Sequence, residues 1–358
     1  MTATEGAILE IDLAAIAANW RSLVARHPSG PVAGVVKADA YGLGATRVAP
    51  ALFAAGCRHF FVAHLNEALA LRPLLPGAML AVLNGPLPGT EPAYLTHDIT
   101  PVLGSRAAIA RWSQPDLAAH PVILHIDTGM NRLGLDAQDI AALRANPTQL
   151  SRLAPRYVMT HLVSSEVPDD PENLRQAEAF AAARTLVPNT PHSLANSSAL
   201  FLGPRFASDL ARPGAALYGI NPTPGQRNPM NPVVRLRAQV LQVRDIATGD
   251  SVGYNATWRA ARPSRIATAC VGYADGWPRS LSSSGHAIFD ARAVPLVGRV
   301  SMDLTTYDVT DFPSIAPGAW LDLIGPHIPV DTVAAAAETN GYEILTRLGA
   351  RYARVWRA

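Results

Sequence analysis

Apolar and polar positions run through the first two-thirds of the chain in two alternating rhythms. Short apolar runs at Val32–Lys37, His59–Ala63, Ala78–Leu83, Ile99–Leu103, Val122–Asp127 and Tyr157–His161 predict strands, and weaker runs follow near His192–Ala195 and Ala207–Arg212. Helical spacing fills the intervals, as at Glu67–Arg72, Arg106–Trp112 and Pro171–Leu186. About eight such β/α units in roughly 200 residues predict an α/β fold, a (β/α)8 TIM-like barrel. A doubly wound sheet alternates in the same way, so periodicity alone leaves both architectures open. The helix at Asp12–Ala25 is the clearest local pattern. Asp12 can cap it, Ile16, Trp20, Leu23 and Val24 recur at helical spacing, and His27-Pro28 ends it.

After the proline-, asparagine- and glycine-rich stretch Pro222–Pro232, the period changes to two. Val234, Leu236, Ala238 and Val240 alternate with Arg235, Arg237 and Gln239, and strand-like runs follow at Arg265–Gly272, Ala293–Val297, Thr305–Val309 and Trp320–Ile324. The expected organisation is a barrel over residues 1–230 followed by a mainly β C-terminal domain over 231–358.

Composition narrows the function. With 49% hydrophobic and 16% charged residues, the 358-residue chain has ample core, and a net charge of +2 offers no argument for nucleic acid or an anionic membrane. Cys57 and Cys270 lie far apart without metal-ligand spacing, so no metal site is expected and two buried free thiols in a reducing compartment are. The first twenty residues lack a basic segment and are interrupted by Glu5, Glu10 and Asp12, unlike a signal peptide. No apolar run reaches the roughly 18 residues of a membrane span. A cytoplasmic protein that uses no membrane is the expectation.

Candidate chemistry begins at "VVKADAYGLG", where an apolar run ends on Lys37 before a small-residue turn carrying Tyr41. At the carboxyl end of a barrel strand the amine would project onto the face where barrel enzymes place their sites. Partial desolvation there lowers its pKa and makes it nucleophilic toward an aldehyde; a lysine reaching water is the alternative. This segment resembles the lysine segment of alanine racemases, whose lysine carries pyridoxal 5′-phosphate. Eight further strings resemble the same family in the same order. They are "HIDTGMNRLG", "THLVSSE", "SLANSSA", "RPGAALYGINP", "VGYNATW", "VGYADGWPR", "VGRVSMD" and "YEILTRLGARYARVW", and they run nearly from end to end.

The resemblance implies interconversion of L- and D-alanine, supplying D-alanine for peptidoglycan. Removing a Cα proton from one face and returning one to the other needs two bases and an electron sink. Lys37 matches one base and the cofactor anchor, and Tyr254 in "VGYNATW" matches the other. Tyr273 matches a tyrosine lining the path of the substrate. Arg212 matches the arginine that faces the cofactor's ring nitrogen; a guanidinium stays protonated, donates to that nitrogen and disfavours its protonation. His161 and Arg212 match a family network that links Tyr254 to the cofactor ring. Tyr41, Ser197, Gly214, Ala215 and Tyr352 match the phosphate-holding set, while Arg132 and Met302 match residues at the substrate carboxylate. In the family the barrel of one chain meets the β domain of another, so the resemblance implies a homodimer with shared sites.

Two positions depart from the pattern, and at one of them, Ala215, the family commonly has a larger aliphatic residue, a change that a backbone donor tolerates. Many family members carry a lysine, often carbamylated, where this chain has His125. Either Arg132 is held by another acid, a neutral imidazole or a bound anion such as chloride, or its geometry is looser. Two rival readings meet opposing residues: an amino-acid decarboxylase of similar architecture places an acid where Arg212 stands, and a non-catalytic cofactor carrier lacks the domain bearing Tyr254 and Met302. A broad-specificity serine/alanine racemase is the alternative within the family.

Overall fold

The computed structural model describes residues 6–358, which leaves Glu5, one of the acids weighed against a leader, outside the described residues. Seven parallel strands, Gly34–Val35, His59–Val62, Met79–Val82, Thr100–Leu103, Pro121–His125, Ala154–Met159 and His192–Ser193, pair in chain order into a curled sheet. Their residues are buried on both faces, which is why the sequence shows continuous apolar runs here rather than alternation. The weak run near residue 210 is not a full strand. It closes the barrel through a parallel bridge between Val32 and Ala211, with Ala33 N–H donating to the Ala211 carbonyl (2.8 Å) and Arg212 N–H to the Ala195 carbonyl (2.8 Å). Ser208, Arg212 and Pro213 break up its pattern, and the pairing is reduced to a few backbone bonds on either side of Ala211.

The first helix runs over Leu13–Arg26, with the Asp12 carboxylate accepting from Ala15 N–H at 2.7 Å as the capping pattern predicts. The second region is built on the long strand Val234–Ile246, whose first seven residues alternate buried and half-buried as the period of two requires. It pairs with Ser264–Ala269 and Trp320–Ile324.

Two corrections concern the chain's beginning. Residues Ala7–Asp12, assigned with the barrel in the division at 230, form a strand of the β sheet instead, antiparallel to Val234–Ala238 and parallel to Ala353–Arg357. The reason is legible in side chains: Ala7, Leu9 and Ile11 turn to the core, and Glu10 meets Arg237 and Arg357. The expectation of two buried thiols holds for Cys57 but not for Cys270, which is half-buried. No described helix is long and apolar enough to cross a membrane.

Candidate active site

A cavity of about 900 Å³ opens at the carboxyl ends of the barrel strands. Lys37 reaches it from the end of the first barrel strand, His125 from Pro121–His125, and His161 from just past Ala154–Met159. Arg132, Ser197, Arg212, Gly214 and Ala215 join them from the loops between and after the strands.

The turn that presents Lys37 is unusual. Over Lys37–Gly42 the backbone makes a helical turn of the wrong hand: Ala38, Asp39, Ala40 and Tyr41 all lie at φ 51–56° and ψ 38–52°. For L-residues with a Cβ this costs about 1–2 kcal/mol each, or about 4–8 kcal/mol for four. Strain of this size persists only where surrounding structure over-determines it. Here the Asp39 carboxylate accepts from Ala45 N–H (2.7 Å), Arg354 donates to the Gly42 carbonyl (2.7 Å), and the Trp356 indole donates to the Leu43 carbonyl (3.0 Å). At Gly42 itself, φ is +82° and an added Cβ would lie 2.4 Å from the Leu345 carbonyl oxygen, so glycine is required. The turn points one amine into the cavity and places the Tyr41 ring behind it, 4.7 Å from that of Tyr218. Burial first, and the neighbouring Arg132 second, lower the Lys37 pKa from its ordinary value, with Glu67 opposing. Lys37 is also the sole lysine in the chain.

Arg212 is fully buried and meets no carboxylate among the described residues. It donates to Ser193 Oγ and to the Thr160 carbonyl (2.5 Å), and burial pushes its pKa down to about 10, which leaves it a cation. A buried cation on a cavity wall calls for an acceptor from a ligand. Nearby, Ser197 Oγ accepts from Gly214 N–H (3.0 Å) and Ala216 N–H (3.2 Å). A Cβ at Gly214 would sit 2.2 Å from Tyr41 Oη, so the backbone can approach the phenol only because the residue is glycine. Burial raises the Tyr41 pKa to about 12 and keeps its hydroxyl a donor. Clustered hydroxyls and backbone N–H groups of this kind form a cradle for a phosphate.

The profile of the alanine racemase N-terminal domain matches residues 11–222, and that of the C-terminal domain matches residues 233–356. The chain is 60% identical to the alanine racemase of Acidiphilium cryptum, over 97% of this chain and 98% of that one, and 52% identical to that of Rhodospirillum rubrum, over 97% and 95%. Among solved structures, it superposes with a TM-score of 0.95 at 42% identity on Bartonella henselae alanine racemase with covalently bound pyridoxal phosphate, covering 98% and 99% of the two chains. The biosynthetic alanine racemase of Pseudomonas aeruginosa gives a TM-score of 0.93 at 34% identity, covering 99% and 100%. The chain belongs to the alanine racemase family.

Against the alanine racemase pattern, one expected residue is displaced. Tyr352 does not line the cavity; it is 4% exposed, with its hydroxyl buried among Asp275, Arg351, Arg354 and Tyr307 and without a partner among the described residues. It immediately precedes the strand Ala353–Arg357, whose pairing with Ala7–Asp12 draws it into the core. Tyr342, ten residues earlier on the helix Gly341–Arg347, lines the cavity instead. Its ring lies 6.2 Å from that of Tyr41, and its hydroxyl donates to Glu166. The signal was present as Tyr342 and Thr346, one turn apart on this short helix, which reach the cavity together with its cap Asn340.

Tyr254, Met302 and Tyr273 are also away from this cavity, on the β domain, and are 65%, 53% and 42% exposed. The latter two share one stiff patch: Ala274 N–H donates to the Met302 carbonyl (2.9 Å), and Arg351 bridges Asp275 (3.0 Å) and Asp303 (2.8 Å).

At the position where many alanine racemases carry lysine, burial and then the nearby Arg212 push His125 down to about 4; the same causes push His161 to about 3. Burial also takes His59, outside the cavity, to about 4. Each is neutral near pH 7. An unfolded chain takes up a proton at each near the ordinary value of 6.5, which the folded chain refuses, so stability is greatest above that pH and falls as pH drops toward about 4. Calorimetry should show Tm falling between about pH 7 and 4.5, and His59→Gln should flatten that fall without touching the cavity.

Proposed function

We infer that this chain interconverts L- and D-alanine using pyridoxal 5′-phosphate held on Lys37, supplying D-alanine of the kind built into peptidoglycan. One observation carries the reading: a single, braced lysine shares a cavity with a buried arginine lacking a carboxylate and with a hydroxyl-and-amide cradle. These residues fit the cofactor group by group. Lys37 Nζ would take its aldehyde carbon, Arg212 would donate to its ring nitrogen, and Tyr41, Ser197, Gly214 and Ala215 would hold its phosphate. Tyr342 takes the place in that set expected of Tyr352. Once bound, pyridoxal 5′-phosphate supplies the electron sink that makes an α-proton removable.

The chain's own residues do the rest. Lys37 Nζ, lowered in pKa, moves the proton on one face of Cα, and Tyr254 Oη of a second copy moves it on the other. Arg132 and the second copy's Met302 N–H hold the substrate carboxylate, while Tyr273 narrows the approach. His161, neutral and buried beside Arg212, keeps further positive charge away from the ring.

A homodimer is part of this proposal. Tyr254, Tyr273 and Met302 stand exposed on the β domain, and Leu133 and Val163 stand exposed at the rim of the cavity (45% and 41%). Two such surfaces on one chain suit a two-fold contact in which each covers the other. A cytoplasmic location accords with the free thiols Cys57 and Cys270.

The test is direct. The purified protein should absorb near roughly 420 nm, lose that band on borohydride reduction, and form D-alanine from L-alanine at least about tenfold faster than D-serine from L-serine. Failure to form D-alanine would overturn the reading. The broad serine/alanine alternative gains no support from the relatives compared.

A further inference from the structure

Glu67 lies outside the set so far described, yet it touches the turn that presents the amine. One carboxylate oxygen accepts from Ala38 N–H at 2.6 Å, at the first residue of the left-handed turn. The other accepts from Ala63 N–H (2.8 Å) and His64 N–H (2.9 Å), closing the capping box of the helix Leu65–Leu71. A single side chain thus ties the start of the strained turn to the end of the neighbouring barrel strand His59–Val62 and to the helix that follows it. The other braces, from Asp39, Arg354 and Trp356, grip the middle and the far end. Glu67 alone grips the end adjoining Lys37. The charged and titratable groups facing the amine are Arg132, His161 and Glu67, and only Glu67 is an acid.

We propose that Glu67 is the positioning residue of Lys37: by holding the Ala38 amide it fixes the left-handed turn that aims the amine into the cavity. This rests on the function proposed above. An acceptor at Ala38 N–H does more than cap a helix, because Ala38 sits at φ 51°, a conformation that L side chains resist and glycine does not. Without the carboxylate, the turn relaxes toward ordinary φ and the amine swings out of register with its target.

The sole lysine makes the test clean. The full-length protein is stripped of cofactor with hydroxylamine and re-exposed to pyridoxal 5′-phosphate; borohydride fixes what has reached an amine, and intact mass counts it. The N-terminal amine is the only competitor. Glu67→Ala should slow attachment at least about tenfold, and lower kcat while KM for alanine stays within about twofold. Adding Ala38→Gly, which removes the strain that Glu67 opposes, should recover at least about threefold of the attachment rate. A residue that merely capped the helix would show no such recovery. Should Glu67→Ala not fold, Glu67→Gln decides, since its single carbonyl oxygen can serve only one side of the clamp; slower attachment supports the proposal and the wild-type rate overturns it. Attachment by Glu67→Ala at the wild-type rate, or no recovery from Ala38→Gly, overturns the proposal alone. A wild-type chain that takes up no cofactor overturns the functional reading with it.

Discussion

Lys37→Arg should fold and yet racemise alanine at least about 10⁴-fold more slowly, with no absorbance from a lysine-bound cofactor. Arginine keeps the positive charge beside Arg132 and Glu67, so the local electrostatics that the fold tolerates are unchanged. A guanidinium neither adds to an aldehyde at neutral pH nor gives up its proton to act as a base. Both roles assigned to the amine are therefore lost at once. In most proteins a neighbouring lysine could capture some cofactor and blur the result, but here the rest of the chain contains none. Chiral chromatography after incubation with either enantiomer checks the rate, and activity within tenfold of wild type would remove Lys37 from the reaction.

Tyr254→Phe should cost about 10²–10⁴ in kcat, the usual worth of a positioned proton-transfer group, while leaving cofactor attachment intact. The phenol is 65% exposed in a single chain and lies away from that chain's cavity, so in the proposed dimer its effect depends on a second copy. Mixing makes that dependence measurable. If Lys37→Arg and Tyr254→Phe chains are unfolded together in equal amounts and refolded, half the dimers are mixed, and each mixed dimer has one site with both wild-type groups. About a quarter of wild-type activity should return. Recovery of nothing would mean that both groups serve a site within one chain.

The barrel strands were legible because burial on both faces writes itself as continuous apolar runs, and the strand at Val234 because burial on one face writes itself as alternation. The order of nine matching segments located Lys37, Arg132, His161, Ser197 and Arg212, all of which line one cavity. The left-handed turn was not legible. The string Ala-Asp-Ala-Tyr has no glycine, and the groups that bond its turn, Glu67, Arg354 and Trp356, lie far off in sequence. Tyr342 and Tyr352 stand in the same matched segment, and choosing between them needs the direction of a seven-residue helix. Ala7–Asp12 carries the alternation of a strand, but its partners are Val234–Ala238 and the chain's last residues, far beyond any local window.

The pairing of Ala7–Asp12 with Ala353–Arg357 also orders events during synthesis. Lys37 leaves the ribosome well before Arg354 and Trp356, which secure the end of its turn from 312 and 313 positions further along the chain. Until that later stretch has emerged and paired, the amine lacks its full brace and is not ready to react.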